Sequence, residues 1–324
     1  MLYGTGKYTY ELVDGWAKIP EGWSFDSVTS LFVDSQDRVH VLSRSDNPLT
    51  VFDSEGNLLT SWGKGLFKRP HGIYISPDGF VYCTDDGSHT VFKFTPEGKI
   101  LLTLGNKDQP SDTGYVKQSM QGVTEAIAQA ASLATIRQAG PPFNCPTGIA
   151  LSSSGEIYVT DGYGNARVHK FTPDGILLFS WGEPGTAPGQ FRLPHHVWVD
   201  KQERVWVSDR ANSRIQIFNA QGEFISQWND LNRPSAIFID KDEEIVYIAE
   251  CRLRVSIFTI DGKLLARLGC QGQDYLGETA LSSITPHGIA VDSRGNIYTG
   301  EINHQGDGTD RSGSRSLRKF VRKV

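Results

Sequence analysis

The chain of 324 residues is 38% hydrophobic and 10% aromatic, enough for a sizeable core, and its formal net charge of −5 offers no basic footprint for nucleic acid. No run of about 18 apolar residues exists, so no membrane span is expected, and Met1 leads into a stretch that lacks the apolar core of a signal peptide. The four cysteines, Cys83, Cys145, Cys251 and Cys270, form no CxxC pair and no dense framework, which suits a reduced, cytoplasmic protein.

Taken in chain order, the first apolar alternation is Tyr8-Thr9-Tyr10-Glu11-Leu12-Val13. A phrase then begins that recurs. It runs from Val51-Phe52-Asp53-Ser54-Glu55-Gly56 through a short apolar strand to Trp62-Gly63. It returns from Phe94 through Gly98 to Leu104-Gly105, from Phe171 through Gly175 to Trp181-Gly182, from Phe218 through Gly222 to Trp228, and from Phe258 through Gly262 to Leu268-Gly269. A sixth copy starts at Lys319-Phe320. Before each copy stand two strands joined by a tight turn, as in Gly148-Ile149-Ala150-Leu151, the turn to Gly155, and Ile157-Tyr158-Val159. Four short strands at a period of roughly 40 residues read as a propeller blade. The first strands begin near Val28, His71, Thr147, His195, Ser235 and His287. The expectation is an all-β, six-bladed β-propeller, a single domain over 1–324. The last unit lacks its fourth strand, and Tyr8 to Val13 has the alternation to supply it and so remove an exposed edge.

One segment breaks the period. Residues 106–143 join the second unit to the third, and Gln118 to Gln138, rich in Ala, Gln and Leu, read as a helix ended by Pro141-Pro142. A connection this long in a compact domain is functional or disordered more often than not. This helical insert between blades two and three reads either as a lid or wall of a substrate pocket, or as an ornament or partner-docking helix.

Three first strands open on a Pro-His step: Pro70-His71, Pro194-His195 and Pro286-His287. The other three carry Thr29, Thr147 and Ser235 at that place. Histidine in every second blade puts three imidazoles on a triangle around the axis. Neutral imidazoles suit zinc (Zn2+) or another divalent transition metal, and three protein ligands with an open position describe a catalytic site. The bland alternative is a polar channel lining. At the ends of the second strands stand Arg44, Tyr163 and Arg210. A guanidinium fork matches a carboxylate, and a tyrosine beside metal and arginine can serve as a base. Each of these residues alone is as well explained by a surface or ion-pair role. Asp85, Asp161, Asp209, Glu250 and Glu301 recur near the same strand ends and read as turn and arginine-orienting groups.

These residues resemble a known family. From about Ser27 to the C-terminus, apart from 106–143, the chain resembles the NHL-repeat propellers and, among them, the lyase domain of peptidylglycine α-amidating enzymes. The matching motifs are Pro70-His71-Gly72, Thr84-Asp85 through His89 to Phe94, Pro146-Thr147, Asp161-Gly162-Tyr163, Gly189-Gln190-Phe191 with Pro194-His195, Asp209-Arg210 with Arg214-Ile215-Gln216, and Pro286-His287. The resemblance implies His71, His195 and His287 as zinc ligands, Tyr163 as base, and Arg44 and Arg210 as substrate residues. It implies cleavage of an N–C(OH) bond in a peptidyl-α-hydroxyglycine to an amide and glyoxylate. The chain departs from the family at Gly288, where an Asp helps hold a structural calcium, and at Gly164, where a disulfide cysteine would sit. The first departure puts the calcium site in question. With no export signal, a small or short amidated substrate bearing a carboxylate or hydroxyl is expected rather than a hormone precursor. Two other readings stay open: a zinc hydrolase of an ester, lactone or amide, and a non-catalytic binding propeller.

Overall fold

The recurring phrase is the hairpin between the third and fourth strands of a sheet. In the first copy the Asp53 carboxylate accepts the backbone N–H of Glu55 at 2.9 Å and of Asn57 at 2.8 Å. Gly56 closes the turn at φ +79°, where a Cβ would meet the Trp16 carbonyl oxygen at 1.9 Å, so no other residue fits. The computed structural model describes residues 2–13, 15–25, 27–119, 125–240, 242, 244–251, 254–269, 285–302 and 316–323.

Strands β1 (Leu2–Thr5) and β2 (Tyr8–Val13) come first. The first meander is β3 (Val28–Val33), β4 (Val39–Ser43), β5 (Leu49–Phe52) and β6 (Leu58–Trp62). The second is β7 (Pro70–Ile75), β8 (Val81–Asp85), β9 (Thr90–Phe94) and β10 (Ile100–Leu104), followed by helix α1 (Glu125–Leu133). The third is β11 (Pro146–Leu151), β12 (Ile157–Asp161), β13 (Arg167–Phe171) and β14 (Leu177–Trp181). The fourth is β15 (Pro194–Val199), β16 (Val205–Asp209), β17 (Arg214–Phe218) and β18 (Phe224–Trp228). The fifth is β19 (Pro234–Asp240), β20 (Ile245–Glu250), β21 (Arg254–Thr259) and β22 (Leu264–Gly269), and the last contains β23 (Pro286–Val291), β24 (Ile297–Glu301) and β25 (Leu317–Lys323). Six antiparallel sheets in this order make a six-bladed β-propeller with one helical insert. The first three strands of the third sheet are almost wholly buried, whereas fourth strands such as β14 and β18 run from exposed to half-buried residues.

The described residues fall into two compact units. In the one formed from 2–66 and 234–323, β23 packs against β3 and β19. The Tyr8–Val13 strand pairs antiparallel with β25, Leu12 opposite Phe320, and so supplies the missing fourth strand. β1, which the sequence did not announce, adds a short fifth strand outside it. Tyr10 is fully buried there in a cluster with Tyr247, Ile257 and Phe320. In the unit formed from 67–233, β11 packs against β7 and β15. Tyr158, Phe191, Val197 and Phe218 fill one apolar cluster of this unit, and Phe143, Ile149, Val159 and Phe171 another.

The helix ends earlier than its Ala-rich sequence predicts. Residues 120–124 of the expected span lie outside the described residues, and α1 ends at Leu133. The reason is a run of hydroxyl competitors. Ser132 Oγ donates to the Ala128 carbonyl at 2.7 Å, and Thr135 Oγ1 donates to the Ser132 carbonyl at 2.6 Å. Ser132 Oγ and Thr135 Oγ1 then accept the backbone N–H groups of Gln118 and Val116 at 2.9 and 2.7 Å, folding the insert back on itself. Among the described residues no helix is long and apolar enough to cross a membrane. Of the cysteines, Cys83, Cys145 and Cys251 are free, and Cys270 lies outside the described residues.

Truncation of the supplied strand tests its weight. Tyr10→Ala is expected to cost about 3–5 kcal/mol, as for other large buried rings, read as a lowered urea midpoint. Thr9→Ala, on the same strand but outside the cluster, is expected to cost less than about 1 kcal/mol.

Candidate functional site

The site is set by what happens just after the first residue of each first strand. In every sheet the pairing of first and second strands shifts there: Pro194 faces Asp209, yet His196 faces Ser208, so His195 is an extra residue. The same shift follows Pro70, Pro146, Pro234 and Pro286, and follows Val28. Proline tolerates this place because it has no N–H to leave unpaired. A bulge turns the extra residue out of the ladder. The extra residues are the histidines and the hydroxyl residues between them.

The recurring carboxylates hold the entry to these bulges. Asp85 accepts the N–H groups of Lys68 and Arg69 at 2.7 and 2.8 Å. Asp161 accepts Asn144 N–H at 2.8 Å, and Asp209 accepts Arg192 N–H at 3.0 Å. They are turn groups, as the sequence suggested. The arginine that Asp209 orients is Arg214, at 2.9 Å, rather than Arg210.

His71 is 2% exposed, and its Nδ1 lies 2.7 Å from the Thr147 carbonyl oxygen. A carbonyl only accepts, so Nδ1 carries the proton and Nε2 presents a lone pair. A Cβ at Gly72 would lie 2.6 Å from that same oxygen, which is why glycine follows the histidine. Tyr163 Oη is 3.0 Å from His71 Nε2 and 3.2 Å from His195 Nε2. Arg210, buried on a short 3-10 turn (Arg210–Asn212), directs Nη1 at His195 Nε2 from 3.1 Å. A guanidinium only donates, so His195 Nε2 is likewise a lone pair. The two imidazole rings stand edge to face, centroids 4.8 Å apart. In the other unit, His287 is 3% exposed and its Nδ1 lies 2.7 Å from the Thr29 carbonyl oxygen, which again leaves Nε2 as the lone pair. Imidazoles whose second nitrogen is fixed by a carbonyl are what metal binding requires. One ring nitrogen from each of His71, His195 and His287 lies within 4.8 Å of the others, and the three could hold a metal ion. Arg44 stands half-buried just after β4, its N–H on the Ser27 carbonyl at 2.9 Å.

With this geometry, similarity to known proteins has a definite meaning. The model of the NHL repeat matches residues 143–171 and 191–218, and that of a beta-propeller repeat matches 274–304. Human NHL repeat-containing protein 3 is 33% identical over 239 residues, which cover 70% of this chain and 61% of that protein. Peptidyl-glycine alpha-amidating monooxygenase B of Xenopus laevis is 34% identical over 214 residues, 63% of this chain and 21% of that protein. Peptidyl-alpha-hydroxyglycine alpha-amidating lyase 1 of Drosophila melanogaster is 28% identical over 284 residues, 80% of this chain and 48% of that protein. Among solved structures, streptogramin B lyase shares the fold with a TM-score of 0.61 at 14% identity, covering 97% of this chain and 98% of that one. The chain is an NHL-repeat propeller that resembles the amidating-lyase domain. It spans between about a fifth and three fifths of the relatives named here.

Two features of this NHL propeller escaped the sequence reading. Arg69, the residue before Pro70, holds its guanidinium 5.7 Å from the centre of the Tyr163 ring and pairs with the buried Asp86 at 2.6 Å. Its sequence signal was adjacency to a Pro-His step. The second feature is the grip of the insert on the Tyr163 turn. Thr113 Oγ1 donates to the Gly164 carbonyl at 2.5 Å and accepts Asn144 Nδ2–H at 3.2 Å. Gly140 and Asn165 exchange two hydrogen bonds of 3.1 and 3.2 Å, and Asn165 Nδ2 also donates to Asp161 at 2.9 Å. A Cβ at Gly164 would sit 2.1 Å from Asn144 Oδ1, so a cysteine has no room here. The NHL propeller departs likewise at Gly288, where a Cβ would come within 2.9 Å of Ser30 Cα. Among the described residues the histidine set is the one group of three or more His, Cys, Asp or Glu placed to hold an ion.

Thr113→Val is expected to lower stability by about 1–3 kcal/mol, the cost of stranding a buried carbonyl, and to speed amide exchange at residues 161–166. Thr113→Ser should restore both, as read by urea unfolding and hydrogen exchange.

Proposed function

We propose that this NHL propeller is a metal-dependent lyase that cleaves the N–C(OH) bond of an N-acyl-α-hydroxyglycine or related hemiaminal amide. The observation that supports it most is the placement of a phenol oxygen against two imidazole lone pairs, in a set of three histidines suited to one ion. We assign the ion-holding role to His71, His195 and His287 through Nε2, with zinc as the ion. Such an ion supplies Lewis acidity to a substrate hydroxyl and makes its proton easier to remove.

The residues of the chain account for the rest. Tyr163 Oη, as phenolate, takes the hydroxyl proton. The electron pair left on oxygen forms the new C=O bond, the C–N bond breaks, and the departing amide nitrogen takes the proton from Tyr163 Oη, giving a primary amide and glyoxylate and restoring the phenolate. Arg210 lies 3.5 Å from Tyr163 Oη and Arg69 stacks on its ring, so both favour negative charge on the phenol and on the transition state. Arg44 and Arg210 are assigned to the substrate carboxylate, whose two oxygens fit a guanidinium fork. The free thiols of Cys83, Cys145 and Cys251 suit a reducing compartment and a small or short substrate rather than a secreted hormone precursor.

A hydrolase reading uses the same ligands, since an ion-bound hydroxide attacks esters, lactones or amides. The product separates the two. The lyase yields glyoxylate without solvent oxygen, and a hydrolase incorporates oxygen from labelled water. A binding propeller would be stable and unaffected by metal removal.

Three results test the proposal. Purified protein should contain about one divalent ion per chain, and chelation should abolish glyoxylate formation. His195→Ala is expected to lose the ion and turnover while keeping the far-ultraviolet spectrum of the wild type. Tyr163→Phe is expected to keep the ion and lose kcat by about a hundredfold or more, the scale of a general base. Unchanged turnover in that variant removes Tyr163 from the mechanism.

A further inference from the structure

Tyr163, whose Oη reaches His71 and His195, also lines a pocket of about 380 Å³. Arg69 and Tyr163 line it together with Tyr115, Ala128, Gln129 and Leu133 of the insert. The volume sits near the lower end of small-molecule sites, roughly 300–1,000 Å³. It has room for one compact substituent.

The lining carries little uncompensated charge. Arg69 is paired with Asp86 at 2.6 Å. His89 Nδ1 accepts the Cys145 N–H at 3.1 Å, and burial lowers the pKa of this imidazole, so it is neutral near pH 7. Burial likewise pushes the Tyr115 phenol up to about 12 and raises the Cys145 thiol, so both keep their protons. Lys117 is exposed at the rim. Ala128 and Leu133 supply apolar surface, while Gln129 and Tyr115 can bond a neutral amide or carbonyl.

We infer that the pocket between Tyr163 and the insert binds the uncharged acyl group on the amide side of the substrate, and that the insert thereby selects compact, neutral N-acyl groups. The inference rests on the lyase reading for the identity of the reaction. Of the two groups flanking the reacting carbon, the carboxylate would meet only Arg69, already paired with Asp86, and the solvent-exposed Lys117, whose attraction water screens, whereas the acylamino group finds hydrogen-bonding and apolar lining. Tyr163 contacts both compartments, so an acyl group seated here keeps the hydroxyl-bearing carbon beside the phenol.

Primary amides, the products of the proposed reaction, test the pocket without turnover. Binding of benzamide, butyramide and succinamate to the full chain is measured by ligand-observed NMR near neutral pH. Benzamide and butyramide are expected to bind, and succinamate, which carries a carboxylate, at least about tenfold more weakly. Ala128→Trp fills the pocket and is expected to weaken benzamide by about tenfold or more; Leu133→Trp serves the same end from the next turn of α1 should the first variant fail to fold. Absence of amide binding, equal binding of succinamate, or benzamide binding unchanged by both tryptophans overturns the inference. Glyoxylate formation is assayed in parallel. Amide binding that is lost in the tryptophan variants, in a wild-type protein that makes no glyoxylate, sustains the pocket and sinks the lyase reading alone.

Discussion

One surplus residue at the mouth of each sheet organises this protein. The bulge after Pro70, Pro146, Pro194, Pro234 and Pro286 throws a single side chain out of the ladder, and the residue types at that place divide the labour. Where it is histidine, the imidazole is aimed. Where it is Thr or Ser, the backbone and hydroxyl do the aiming. The Thr147 carbonyl fixes His71 Nδ1 at 2.7 Å, while its hydroxyl donates to the Pro194 carbonyl at 2.7 Å, the peptide that leads into His195. Ser235 donates in the same way to the Pro286 carbonyl at 2.8 Å, and the Thr29 carbonyl fixes His287. Alternation of histidine with a hydroxyl residue is therefore a single device rather than two.

The device decides protonation before any ligand arrives. A neutral imidazole has one donor and one acceptor, and nothing in its own chemistry chooses between them. Committing Nδ1 to a carbonyl commits Nε2 to being a lone pair. For His195 the commitment comes from Arg210, which can only donate to Nε2. These are buried polar groups, and a wrong tautomer would set donor against donor at about 3 Å, a cost of a few kcal/mol in so dry a place. The imidazoles are thus held ready for a cation at the expense of other roles.

Much of this could be read from the chain alone, because turns and strand alternation are local. The Phe-to-Gly phrase gave the hairpins, and the Pro-His steps gave the place of the site. Tyr8–Val13 pairs where its alternation suggested because an unpaired β25 edge has a single partner of the right period. Four things were not readable. The bulges depend on a register between strands, and no single strand encodes one. The carbonyls of Thr29 and Thr147 are acceptors in any residue, so their role left no trace in residue type. Propensity places the end of α1 too late because it sums Ala and Leu, whereas Ser132 and Thr135 divert the backbone through their own hydroxyls. Arg69 was passed over for a related reason: its worth lies in the ring of Tyr163, far along the chain and near only in the folded unit.

The insert shows how a surface addition comes to matter at a site. Its two ends are tied to the same five-residue turn, Thr113 to Gly164 and Gly140 to Asn165, and its helix faces the ring that the turn presents. Asn144 and Gly164 pack so closely that a covalent staple is excluded, and the turn is held by buried hydrogen bonds instead. Hydrogen-bonded support is individually weak, about 1 kcal/mol net per bond, but here the bonds share partners, so losing one loosens the others. The wall of the pocket and the position of the phenol are therefore one mechanical object. A change in the insert that reshapes the pocket will also move Tyr163 unless the Thr113 and Asn165 contacts are kept. That coupling separates substitutions on the helix face, such as those at Ala128 and Leu133, from substitutions at the insert's ends. The first kind alters what fits beside the phenol, and the second alters where the phenol stands.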